Sequence, residues 1–96
     1  MKIQQLVSEL EEAARQLGVQ VRKEKGSFRG GYCTRNDEEL LMLNRNHPPE
    51  AHLAILAEAL RTLKVDSVYL KPAVRRALED AWARAARVDI EEADAE

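Results

Sequence analysis

Apolar residues near the start of the chain, Ile3, Leu6, Val7, Leu10, Ala13, Ala14 and Leu17, recur at i, i+3, i+4 and i+7, with Gln, Glu, Ser and Arg between them. The spacing predicts one amphipathic helix. Gly18 follows where a left-handed C-cap residue is wanted, and the period then shortens to Val19-x-Val21, the start of a strand. Gly26-Ser27 and Asn36-Asp37 read as two-residue hairpin loops, so the middle of the chain is expected to be a three-stranded antiparallel meander. That register sets Val21 against Tyr32, Arg35 against Glu38 and Tyr32 against Leu41. One face then carries Val19, Val21, Phe28, Tyr32, Leu41 and Leu43. The other carries Gln20, Arg22, Glu24, Arg29 and Arg35, with Cys33, Leu40 and Met42 as its apolar members. Cross-strand ion pairs are expected between Glu24 and Arg29 and between Arg35 and Glu38.

His47-Pro48-Pro49 marks a strand-to-helix junction with an Asx cap available from Asn46. The helix after it carries Leu53, Leu56, Ala57, Leu60 and Leu63 and is apolar round much of its circumference, which predicts deep burial. Val68-Tyr69-Leu70 is expected to be extended, and Pro72 opens a third helix with the stripe Val74, Leu78, Ala81, Trp82 and Ala85. The element order predicts an α+β domain over residues 1–88. Residues 89–96, with five acids, are expected to form a disordered tail.

Composition narrows the function classes. The chain has 96 residues and a formal charge of −2, enough for one domain and too short for two. No apolar run is long enough to span a bilayer and no signal-peptide pattern opens the chain, which predicts a cytoplasmic protein without membrane attachment. The one cysteine, Cys33, forms no internal disulfide and suits a reducing compartment. Charge is uneven: Arg22, Lys23, Lys25, Arg29 and Arg35 face only Glu24 within their segment, while the tail is acidic. Arg22, Lys23, Arg29 and Arg35 are therefore candidates for binding nucleic acid or another polyanion, with the tail competing for them. Only four residues in a hundred are aromatic, and Phe28 and Tyr32 are assigned to the core face, which leaves no base-stacking platform.

Catalytic patterns are absent. Arg29-Gly30-Gly31 lacks the context of a phosphate-binding loop and reads as a bulge or a close backbone approach, such as a helix crossing near Gly30. His47 and His52, five apart, point about 140° from one another on a helix and do not share a metal. Ser8, Ser27 and Ser67 lie outside any nucleophile-elbow motif, and Glu11-Glu12 and Asp37-Glu38-Glu39 read as solvated charge. No cofactor or metal is expected. If a catalytic site existed, a pocket around Cys33, Arg29 and His47 would be its place.

The order of a helix, a three-stranded meander ending in Leu40-Leu41-Met42-Leu43-Asn44, a proline junction and a buried helix resembles the minimal core of ImmA/IrrE-type zinc metallopeptidases over residues 1–64. Ala57-Glu58-Ala59-Leu60-Arg61 stands where that family carries H-E-x-x-H, keeping the glutamate and lacking both zinc-ligand histidines. The resemblance implies a degenerate, non-catalytic relative. These readings together predict a non-enzymatic interaction or regulatory module, with polyanion binding as the alternative. The third helix, through Trp82 and Leu78, and the Cys33, Leu40 and Met42 patch are its candidate interfaces with a protein partner or with a second copy in a homodimer.

Overall fold

The computed structural model describes residues 1–94, with side chains described through Arg87. Its elements are α1 (Ile3–Gln16), β1 (Gln20–Glu24), β2 (Gly31–Arg35), β3 (Glu38–Asn44), α2 (Pro49–Thr62), a single 3-10 turn (Val65–Ser67) and α3 (Pro72–Asp94). The fold is α+β, as the sequence predicts. Helix α3 continues to Asp94, through most of the stretch 89–96 expected to be a disordered acidic tail, and the last two residues lie outside the described ones.

Helix α1 buries Val7, Leu10, Ala13 and Ala14. It stops at Gly18, whose φ of 88° suits glycine. Val19 N–H donates to Ala14 O and Gly18 N–H to Arg15 O, both at 3.0 Å, which closes the helix in a Schellman motif and turns the chain into β1.

The sheet is mixed rather than a meander: its order is β1-β3-β2, with β1 parallel to β3 and β2 antiparallel to it. The second hairpin forms as expected. Asn36 and Asp37 adopt φ of 53° and 67°, the values of a type I′ turn, and set Arg35 opposite Glu38 and Tyr32 opposite Leu41. The expected hairpin at Gly26-Ser27 does not form, and Glu24 pairs with Asn44 instead of meeting Arg29.

Two causes are visible. β3 holds an unbroken apolar run, Leu40 to Leu43, three of whose members are buried, which suits the central position, whereas β1 carries Arg22, Lys23 and Glu24 in succession, which suit an edge. The 25–30 loop is also tied down elsewhere. Buried Asn44 donates through Nδ2 to Gly26 O at 2.8 Å and Phe28 O at 2.7 Å, while its Oδ1 accepts from Asn46 N–H at 3.0 Å. Asn44 therefore organises the loop, and the cap expected from Asn46 does not form: the N-cap of α2 is Pro48, with no side-chain bond. Gly30, at φ 87°, passes so close to β3 that a Cβ would stand 2.6 Å from Met42 O. The close approach expected there is to a strand backbone, not to a helix.

One core joins every layer. Val19, just before β1, and Leu41 and Leu43 of β3 meet Leu10 and Ala14 of α1, Leu53, Leu56 and Leu60 of α2, and Val74 and Leu78 of α3. α3 folds back across α1 and α2. Trp82 Nε1–H donates to Ala57 O at 2.6 Å, and ion pairs of Lys71 with Glu9 (2.9 Å) and Arg75 with Asp66 (2.7 Å) fasten the start of the helix. Val68-Tyr69-Leu70 joins no sheet.

Candidate functional site

Strand periodicity and the observed register sort the sheet residues by face. Val21 and Lys23 of β1, Tyr32 and Thr34 of β2, and Glu39, Leu41 and Leu43 of β3 share the face under the helices. Gln20, Arg22 and Glu24, then Gly31, Cys33 and Arg35, then Glu38, Leu40 and Met42 share the other, which stands apart from the main core cluster. Cys33 is exposed, Met42 half-buried and Leu40 only 5% exposed, so Leu40 is sheltered on this face by its surroundings and offers little area of its own.

The structure separates the other candidates. Leu78 is fully enclosed by its own chain and Trp82 is half-buried with its N–H satisfied, so the third-helix stripe closes the domain's own core rather than presenting a surface. Arg22 and Arg35 are exposed on the open face, with Glu24 and Glu38 beside them. Lys23 points the other way. Its Nζ lies 3.0 Å from Oε2 of Glu11, a carboxylate whose side chain is 5% exposed, and Arg15 approaches Oε1 at 3.5 Å. Oε2 receives no formed hydrogen bond, so the contact with Lys23 is Coulombic rather than directional. Glu11 is accordingly not the solvated charge its neighbourhood in the sequence suggests.

Arg29 belongs to a different feature, a groove of about 360 Å³ between the start of β2 and the outer side of α2, lined by Arg29, Gly30, Tyr32, Ile55, Glu58 and Thr62 among others. Neither Cys33 nor His47 borders it. Partial burial first, and then the Glu39 carboxylate, push the Tyr32 phenol above its ordinary value, so it is neutral wherever the protein is folded near neutrality. Glu58 is exposed on the groove wall, while Ala57 is buried and Arg61 exposed.

The histidines serve the β3–α2 junction. His52 Nε2–H donates to Asn44 O at 2.6 Å, which fixes its tautomer and binds the first turn of α2 to the end of β3. His47 is half-buried at the junction, where its N–H donates to the same carbonyl at 3.0 Å. Among the described residues, no three His, Cys, Asp or Glu side chains stand close enough together to hold a metal ion, and no helix is long and apolar enough to cross a membrane.

Sequence reasoning passed over Asn44 and Glu11. The signal that could have found them is a polar residue at a core position: Asn44 ends an apolar strand just before a turn, and Glu11 sits beside Leu10 on an apolar helix face. Comparisons with protein-family models, with curated proteins and with solved structures return no match.

Proposed function

We propose that this chain is a non-catalytic protein–protein interaction module that works through the open face and outer edge of its sheet. The observation that carries the reading is the one-sided cover: α1, α2 and α3 complete a core on one face, leaving exposed Cys33 and half-buried Met42 on the other. Polyanion binding has less support. Lys23 is committed to Glu11, and Arg22 and Arg35 share their face with Glu24 and Glu38, so that face has no excess of positive charge to attract a phosphate backbone. On the resemblance to ImmA/IrrE-type cores, Glu58 would stand at that family's glutamate position, exposed beside a groove, with Ala57 and Arg61 where zinc ligands would stand.

Affinity capture under nuclease treatment tests the reading, comparing the wild type with Cys33→Lys on the open face and Arg76→Glu on α3. The module reading expects capture that survives nuclease, falls by about tenfold in C33K and is unchanged in R76E. Retention that vanishes with nuclease and drops steeply with salt would instead make the basic residues the working surface.

A further inference from the structure

We infer that the outer edge of β2 pairs antiparallel with the same strand of a second copy, making a continuous six-stranded sheet across a twofold axis. The inference rests on the interaction reading and names the partner. It starts from the type I′ turn. In a two-residue hairpin the flanking residues, Arg35 and Glu38, exchange both backbone hydrogen bonds, so Arg35, Cys33 and Gly31 point their N–H and C=O groups at β3. Tyr32 and Thr34 therefore point theirs outward, away from β3, along an edge that no other strand of this sheet occupies.

Edge strands are ordinarily blunted by proline, by a central charge or by a covering segment. β2 has none of the first two: its sequence Gly-Tyr-Cys-Thr-Arg is charged only at its end, whereas β1 carries Arg22, Lys23 and Glu24 in succession. The same strand also suits itself as a partner. Centring the pairing on Cys33 places Tyr32 opposite Thr34 of the second copy, in the phase where both present outward groups, giving four backbone hydrogen bonds and two aromatic–β-branched contacts. Gly31 meets Arg35 of the second copy, so no like charges oppose one another. Centring on Cys33 pairs all five residues of β2, whereas the same phase centred on Tyr32 or on Thr34 pairs only three, because the strand ends at Gly31 and turns away after Arg35. Strand length and turn geometry together select the Cys33-centred register.

That register has a chemical signature. Cys33 meets Cys33 of the second copy at a non-hydrogen-bonded position, where Cα atoms lie about 4.5 Å apart, at the short end of the disulfide range of about 4.4 to 6.8 Å. The test combines sedimentation equilibrium of the full chain, up to about 1 mM, with thiol oxidation by diamide, which takes up the two electrons and two protons that two thiols release. The proposal expects the 10.9 kDa mass to double with concentration. It also expects wild-type dimer disulfide to form about tenfold faster than in Cys33→Ser/Arg35→Cys, whose thiols face Gly31 of the second copy and not each other. Thr34→Pro removes one outward N–H that the single chain does not use, so the variant keeps its circular dichroism and remains monomeric. Cys33→Glu is a second variant, at a side chain exposed in the single chain, and weakens the dimer by setting like charges against each other across the twofold axis. A chain that is monomeric at about 1 mM, or that cross-links equally fast in both cysteine variants, overturns the self-pairing. Nuclease-resistant capture of another protein in that case leaves the interaction reading standing, so the two failures are distinguishable.

Discussion

Replacing Asn44 tests whether one side chain sets the strand order. Its amide uses both donor hydrogens, on Gly26 O and Phe28 O, and its oxygen accepts from Asn46 N–H, all at 3.0 Å or less in a residue 2% exposed. With a net value of about 1 kcal/mol per neutral hydrogen bond, Asn44→Ala loses about 2 to 4 kcal/mol. Asn44→Asp keeps the shape but puts a carboxylate oxygen where the donors were, 2.7 and 2.8 Å from two carbonyl oxygens. It is expected to cost more than alanine, about 4 kcal/mol or beyond, a large share of the roughly 5 to 15 kcal/mol that holds a domain folded. Burial against carbonyls raises the folded-state pKa of the new Asp above its unfolded value. The aspartate variant is therefore most stable below the ordinary Asp pKa of about 3.9 and loses that stability as pH rises through the folded value. Urea unfolding followed by circular dichroism reads this out: with a slope of about 1 to 1.5 kcal/mol per molar, N44A shifts the midpoint down by roughly 1.3 to 4 M. An aspartate variant within about 0.5 kcal/mol of the wild type, or one no worse than N44A at neutral pH, would refute the donor requirement.

Other outcomes follow from separate features. Gly30→Ala combines a φ of 87° with a Cβ 2.6 Å from Met42 O, so it is expected to cost about 2 to 4 kcal/mol by urea unfolding, whereas Gly18→Ala, with nothing near its Cβ, costs only its backbone strain of about 1 kcal/mol. Lys23→Ala leaves buried Glu11 with Arg15 as its remaining cation and costs about 1 to 2 kcal/mol, while Lys23→Met with Glu11→Leu recovers most of that loss. In a spectrophotometric titration of wild type against Tyr32→Phe, the phenol step removed by the substitution lies above the ordinary value; because the folded pKa is raised, stability is full below about pH 10 and falls as pH climbs through that step.

Local signals read well in this chain and long-range pairing did not. Gly18 ends α1 and Asn36-Asp37 turns β2 into β3 because each needs only its immediate neighbours. The pairing of β1 depends on residues far along the chain: Asn44 reaches back to Gly26 and Phe28, and Gly30 fits only against the backbone at Met42. A hint was present in the run Leu40-Leu41-Met42-Leu43, an apolar stretch without a charge that suits a central strand better than an edge. The period of two placed Cys33, Leu40 and Met42 on one face correctly, since alternation does not depend on which strand is the neighbour. It could not place the groove, which exists only because α2 lies beside the start of β2, nor show that the third-helix stripe is spent on Ala57 and the core.

Whether β2 presents an unpartnered edge to a second chain is tested most directly by amide hydrogen exchange resolved by residue. Cys33 and Arg35, bonded to β3, are expected to be protected at every concentration. Tyr32 and Thr34 are expected to exchange freely in dilute protein and to gain protection together as concentration rises toward about 1 mM. Tyr32 and Thr34 amides that exchange freely at every concentration, or that are already protected in a dilute monomer, would contradict the self-pairing.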